Sequence, residues 1–144
     1  MTGLEFFIGA GILVMNAREE TLLMQRQNAS SKKFEKFNGV WANPGGRMEP
    51  GQEIYRGACR EVFEELGIIV QTERFLSVFE DIDREAGIHG VYIGYEGYIK
   101  EGNVCIKEPE KCSRFGWFAL NDLPRPLANF TQSYVAAYNR LRGL

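Results

Sequence analysis

Three glutamates, Glu61, Glu64 and Glu65, stand at i, i+3 and i+4 behind the glycine-rich stretch Pro44-Gly45-Gly46. In a helix of 3.6 residues per turn those offsets return to one side, so the three carboxylates crowd one face. Crowded carboxylates repel one another, and cations among them offset the repulsion. Magnesium suits such a set, because it takes oxygen ligands, keeps several waters, and combines one or two carboxylates with substrate phosphates. A diphosphate repels an attacking hydroxide. Metal ions bridging its oxygens remove that repulsion, orient the group and activate a water. The plain alternative is a solvated acidic helix face, as charged runs usually are. Gly45 and Gly46 let backbone approach a phosphate, or simply make a tight turn.

The wider stretch runs from Gly46 through Gln52 to Arg60-Glu61-Val62-Phe63-Glu64-Glu65-Leu66-Gly67-Ile68. It resembles the Nudix box: Gly, five residues, Glu, seven residues, then Arg-Glu-hydrophobic-x-Glu-Glu-x-Gly-hydrophobic. Eight of the nine fixed positions match, and Gln52 replaces the first Glu. So long a spaced pattern is far more specific than a short glycine motif. The resemblance implies an α/β protein with the Nudix fold, an α/β/α sandwich with a mixed β-sheet, as one domain over residues 1–144. It implies that Glu61, Glu64 and Glu65 bind Mg2+, or Mn2+ in its place, and that Glu61 or Glu64 helps deprotonate the water. In the family, the arginine at Arg60 pairs with the first box Glu and holds the preceding loop. Gln52 accepts a hydrogen bond but forms no ion pair, so a weaker tie is expected here.

Outside the box, Arg26 ends the second expected strand, where nucleotide-cleaving relatives often carry a phosphate-binding arginine. The segment Glu108-Pro109-Glu110-Lys111-Cys112, with Trp117-Phe118 and Leu123-Pro124 after it, resembles the MutT-like branch of nucleoside triphosphate pyrophosphohydrolases. Many of those place a metal-assisting carboxylate just before the tryptophan. Gly116 stands there instead, which leaves Glu110, Glu80, Asp81 or Asp83 as stand-ins. Pro126-Leu127-Ala128-Asn129 resembles the MutT segment whose asparagine reads a purine edge, and an amide both donates and accepts. Asn129 or Thr131 equally suits the N-cap of the last helix. Phe75, Tyr92, Trp117 and Phe130 are stacking candidates, or ordinary core. The site set is therefore Glu61, Glu64, Glu65 and Arg60 for chemistry, and Arg26, Gly45, Gly46, Trp117 and Asn129 for substrate.

These residues need elements to position them. Phe6–Met15 and Leu22–Gln25 read as strands joined by a polar turn at Asn16–Thr21. Asn28–Phe37, with Lys32, Lys33 and Lys36, reads as an exposed basic loop or a phosphate-attracting lip. Val40–Asn43 is a short strand running into the Pro44-Gly45-Gly46 turn. A helix over Gln52–Leu66 carries an apolar stripe of Tyr55, Ala58, Cys59, Val62 and Leu66, with Gly67 as a left-handed cap. Gly57 either packs closely on a neighbour or clears space before Glu61. Ile68–Phe79 and Gly90–Ile99 read as strands around a Glu80–His89 loop, and Arg114–Ala119 as another strand. Thr131–Leu141 closes the chain as an amphipathic helix.

A chain of 144 residues with 44% hydrophobic and 25% charged residues builds a real core. A net charge of −2 argues against a nucleic-acid polymer as partner but not against a small nucleotide. Cys59, Cys105 and Cys112 have no paired spacing and there is a single His89, so no zinc site is visible and a reducing, cytoplasmic setting is expected. Phe6–Met15 is too short to cross a bilayer and follows Glu5 rather than a basic segment, so no membrane partner is expected. The activity these features imply is Mg-dependent hydrolysis of a nucleoside or deoxynucleoside triphosphate, with an oxidised purine as one variant, to monophosphate and pyrophosphate. The alternatives are an ADP-ribose, dinucleotide or nucleotide-sugar diphosphatase, or a weakly active nucleotide-binding module. A homodimer is a further option that the resemblance carries.

Overall fold

The first strand, β1 (Glu5–Val14), is apolar along most of its length because both of its faces are covered. Its even residues Ala10, Ile12 and Val14 enter one buried cluster, and its odd residues Phe7 and Leu13 enter another. The computed structural model describes residues 3–27 and 32–143, apart from the side chains of Lys32 and Glu73. Along it follow β2 (Glu20–Arg26), a 3-10 helix (Lys32–Phe37), β3 (Trp41–Ala42), β4 (Gly45–Arg47) and α1 (Ile54–Leu66). Then come β5 (Ile69–Asp83), β6 (Ile88–Glu101), β7 (Cys112–Ala119) and α2 (Asn129–Leu141).

Four strands form a mixed sheet in the order β4-β1-β6-β5. β1 runs parallel to β6, with Gly9 opposite Tyr92, while β4 and β5 are antiparallel to their neighbours. A second, antiparallel sheet has the order β3-β2-β7. On one face of the mixed sheet, Ile12, Val14, Leu22, Met24, Ala58, Val62 and Leu66 pack α1 and β2 against it. On the other, Leu13, Leu76, Tyr92, Tyr134 and Tyr138 pack α2. This is the expected α/β/α sandwich. At Gly94 α2 packs tightly on the sheet: a Cβ there would lie 2.3 Å from the Tyr134 ring, so only a glycine lets that ring lie on the strand.

Several boundaries differ from expectation. Pro44-Gly45-Gly46 is not only a turn, since Gly45–Arg47 pair with Gly9–Gly11 as an edge strand. α1 begins at Ile54, after an N-cap Glu53 that makes no side-chain cap bond. Its core stripe takes Ile54 rather than Tyr55, because Ile54, Ala58, Val62 and Leu66 repeat at i+4; Tyr55 is 41% exposed. Gly67 is the left-handed cap, with φ 71°. Gly57 serves close packing: a Cβ would meet Met48 Sδ at 2.6 Å. The expected Glu80–His89 loop is mostly strand, because β5 and β6 form one long hairpin that turns only at Arg84–Gly87. α2 begins at Asn129 with Ala128 as N-cap and no side-chain cap, so neither Asn129 nor Thr131 caps it. Residues 28–31 of the expected basic loop lie outside the described residues. Residues 32–37 form the 3-10 helix, whose Phe34 packs against the α2-side core.

Candidate functional site

β4 and α1 bring the box together. The Gly45 N–H donates to Glu65 Oε1 at 2.9 Å. Glu65 lies three residues after Val62 on the buried face of α1 and is only 7% exposed. Burial is the main cause that pushes its carboxyl up to about 7; the Arg26 charge and the Gly45 N–H pull it back, while Glu61 and Glu108 push further. Glu61 sits against Gly46, where a Cβ would come 2.5 Å from Glu61 Oε2, so the missing side chain is what admits the carboxylate. Burial raises the Glu61 carboxyl first, then Glu64; Arg60 lowers it, Glu108 raises it and Lys111 lowers it. Glu64 is more open and faces Arg60 Nε at 3.5 Å.

Arg60 therefore meets Glu64, one turn along its own helix, rather than the preceding loop. Gln52 braces that loop in another way: its Oε1 accepts the Glu49 N–H at 3.0 Å. Glu108, in the segment before β7, is a residue that spacing from Trp117 did not single out. It raises both Glu61 and Glu65, and Lys111 Nζ stands 3.6 Å from its Oε2. The four stand-in carboxylates are placed elsewhere or otherwise engaged. Glu80 contacts His89, Asp81 and Asp83 hold Lys36, and Glu110 is exposed in the turn before β7.

Among the described residues, no three carboxylates, imidazoles or thiolates converge into a ready-made metal cage. The donor set nevertheless fits a divalent cation. All its groups are oxygen ligands, Glu61 and Glu65 are both desolvated, and the Glu61 charge raises Glu65 further, a penalty that a bound cation would offset.

On the other side of Gly45-Gly46 opens a cleft of about 330 Å³. Gly9, Gly11, Gly45 and Gly46 line it with backbone, and Arg26, Arg47 and Lys111 bring positive charge. Its walls are aromatic: Phe7, Phe34, Phe37, Tyr92, Phe130 and Tyr134. Tyr92 and Phe130 stack at 4.5 Å with 14° between their planes. The Arg47 guanidinium lies 4.4 Å from the centre of the Phe7 ring while it pairs with Glu5 at 2.7 Å. Buried Asn43 shapes one wall, where its Oδ1 accepts the Thr131 hydroxyl at 2.7 Å and its Nδ2 donates to the Pro44 carbonyl.

Of the substrate residues expected from sequence, Arg26, Gly45 and Gly46 line this cleft, and Trp117 and Asn129 do not. Trp117 packs on the α1-side core, opposite Leu22. Asn129 is exposed in the first turn of α2, and its neighbour Phe130 enters the cleft instead. Phe75 lies away from it, 51% exposed, edge-on to Tyr95. Sequence reading passed over Phe34 and Phe37 because they are embedded among lysines. Their i, i+3 spacing was the available signal, since it stacks side chains in a 3-10 helix.

Comparison with known proteins agrees with this geometry. A family model described as the NUDIX domain matches residues 5–138. A MutT Nudix hydrolase structure from Burkholderia pseudomallei superposes with a TM-score of 0.83 at 32% identity, covering 92% of this chain and 98% of that one. The ADP-ribose pyrophosphatase of Methanocaldococcus jannaschii is 29% identical over 112 residues, 78% of this chain and 62% of its own length. The 8-oxo-dGDP phosphatase of Mus musculus is 32% identical over 116 residues, 78% of this chain and 32% of its own length. The chain thus spans less than two thirds of the length of these curated relatives. The matched box, the α/β/α sandwich and the family model converge on one assignment: this chain belongs to the Nudix family, with the fold of its MutT members.

Proposed function

We propose that the protein is a divalent-metal-dependent pyrophosphohydrolase whose substrate is a nucleoside diphosphate bearing a further group, a nucleoside or deoxynucleoside triphosphate being favoured. The observation that carries this is the position of Gly45-Gly46. That short strand separates an aromatic, positively lined cleft from the carboxylates of α1. A base stacked among Tyr92, Phe130 and Phe34 leaves its phosphates at the glycine backbone, with Arg26 and Lys111 beside them.

Glu61, Glu64 and Glu65 would hold the cation, with Glu108 facing them. When bound, the cation supplies charge to the phosphate oxygens and acidifies a water. Glu61 or Glu64 accepts the proton of the attacking water. The water oxygen bonds to phosphorus, the phosphoanhydride bond breaks, and pyrophosphate leaves with the electron pair. Arg26 and Lys111 steady the charge of the phosphate chain. Gly46 keeps the Glu61 carboxylate beside it without a side chain between them.

A second reading, an ADP-ribose diphosphatase, is supported by the similarity to the archaeal pyrophosphatase and needs the same diphosphate chemistry. The test is a panel of nucleoside triphosphates, 8-oxo-purine forms, ADP-ribose, dinucleotide polyphosphates and nucleotide sugars, incubated with Mg2+ and analysed for products. Monophosphate and pyrophosphate from a triphosphate is the expected result. Turnover of ADP-ribose alone replaces it with the second reading. Tight binding without turnover of any compound reduces the protein to a binding module.

A further inference from the structure

Lys36 does not reach the cleft, yet it touches what forms the cleft wall. Its Nζ donates to Asp81 Oδ2 at 2.7 Å and to Asp83 Oδ2 at 2.8 Å, at the end of β5. The same ammonium lies 5.3 Å from the centre of the Phe37 ring. Asp83 is itself fixed, because its Oδ1 accepts the Ala86 N–H at 2.9 Å in the hairpin turn. From Phe37 the contacts run into the cleft: its ring faces Phe130 at 6.3 Å and stacks with Phe34 at 6.2 Å, and Phe34 meets Phe7 edge-on at 5.7 Å. A second tie, Lys33 to Glu5 at 3.3 Å, fastens the start of the same 3-10 helix.

A lone surface ion pair contributes little. Here one ammonium serves two carboxylates, each about a quarter exposed (26% and 28%), together with an aromatic face. The segment it fastens is a single short 3-10 helix that packs on the α2-side core through Phe34. We infer that Lys36 is a positioning residue for the base. Gripped by Asp81 and Asp83, it holds Phe34 and Phe37 against the aromatic wall so that the cleft is shaped before the nucleotide arrives. The acidic end of β5 thus serves specificity rather than metal binding. This rests on the reading that the cleft takes a nucleobase.

Loss of such preorganisation weakens binding of the base and leaves the chemical step alone. The experiment compares Lys36→Met, Lys36→Arg and the double variant Asp81→Asn/Asp83→Asn with the wild type on the best nucleoside triphosphate. Base-free tripolyphosphate serves as a competitive inhibitor, and thermal melts confirm folding. The expected result for Lys36→Met is a KM raised roughly fivefold or more, a kcat within about twofold, and an unchanged inhibition constant for tripolyphosphate. Lys36→Arg should restore most of the KM, and the aspartate pair should reproduce the defect without adding to it in combination. An unchanged KM, or KM and inhibition constant rising together, overturns the inference while leaving the base reading intact. A wild type that binds tripolyphosphate as tightly as the nucleotide shows that the cleft takes no base, and both fall.

Discussion

At Glu65 a nearly buried carboxyl accepts the Gly45 N–H and shares its surroundings with Glu61 and Glu108. Its folded-state value, about 7, lies above the ordinary 4.5. The folded chain therefore holds this proton at a pH where the unfolded chain has lost it. The stability that this carboxyl contributes to the metal-free protein is full below the unfolded value, falls as pH rises toward about 7, and is level beyond. The loss is on the order of 3 kcal/mol. Urea unfolding in the presence of a chelator, followed from about pH 5 to about pH 8, checks this, and Glu65→Gln should flatten the profile. A wild-type profile with the same slope as that of Glu65→Gln over that range would rule out a protonated Glu65. Glu64 is about half exposed and faces Arg60, so its removal should touch chemistry alone. We expect Glu64→Gln to lower kcat by roughly 10²–10³ with an unchanged melting temperature. Near-full activity would take Glu64 out of the cation site.

Between elements, the two glycines of β4 face opposite constraints. At Gly45 an added Cβ would lie 2.3 Å from the Ala10 carbonyl oxygen, in the backbone of β1. At Gly46 it would meet the end of the Glu61 side chain, which can swing away. Gly45→Ala should therefore destabilise the protein by about 1–3 kcal/mol, since the paired strands β1 and β4 must part. Gly46→Ala should leave the melting temperature nearly unchanged and lower kcat, because the displaced carboxylate no longer sits at the strand. Equal melting curves for the two variants would contradict this division. The same junction extends to α2, where the Thr131 hydroxyl donates to Asn43 Oδ1 and accepts the Asn43 N–H, so the helix start is tied to the segment leading into β4.

Across the whole molecule, the mixed sheet separates two clusters, and the cleft and the carboxylates lie on either side of one edge strand. Among the described residues no helix is long and apolar enough to cross a membrane. Binding of a cation to the folded chain alone should raise its stability by mass action. Mg2+ should thus raise the melting temperature more at about pH 8, where Glu65 is ionised and repelled, than at about pH 5, and a chelator should reverse the shift. An identical Mg2+ shift for the wild type and Glu65→Gln at the higher pH would exclude Glu65 as a ligand.

Local rules made the box helix legible in this chain. A helix period places Glu61, Glu64 and Glu65 together whatever surrounds them, Gly67 needs only its own left-handed φ, and β1 shows its double burial by being apolar at odd and even positions alike. The parts that stayed hidden depend on residues far apart in sequence. Which helix face is buried chose Ile54 over Tyr55, and the length of the β5–β6 hairpin turned an expected loop into strand. Partners were decided in the same way: Arg60 took Glu64 and Gln52 took a backbone N–H. Only folding across the chain sets Glu108 against the box carboxylates and gathers Phe7, Phe34, Tyr92 and Phe130 around one cleft. The sequence alone determined the chemistry on one helix; tertiary packing decided what that chemistry faces, because contact between distant segments is written in shape and burial rather than in spacing.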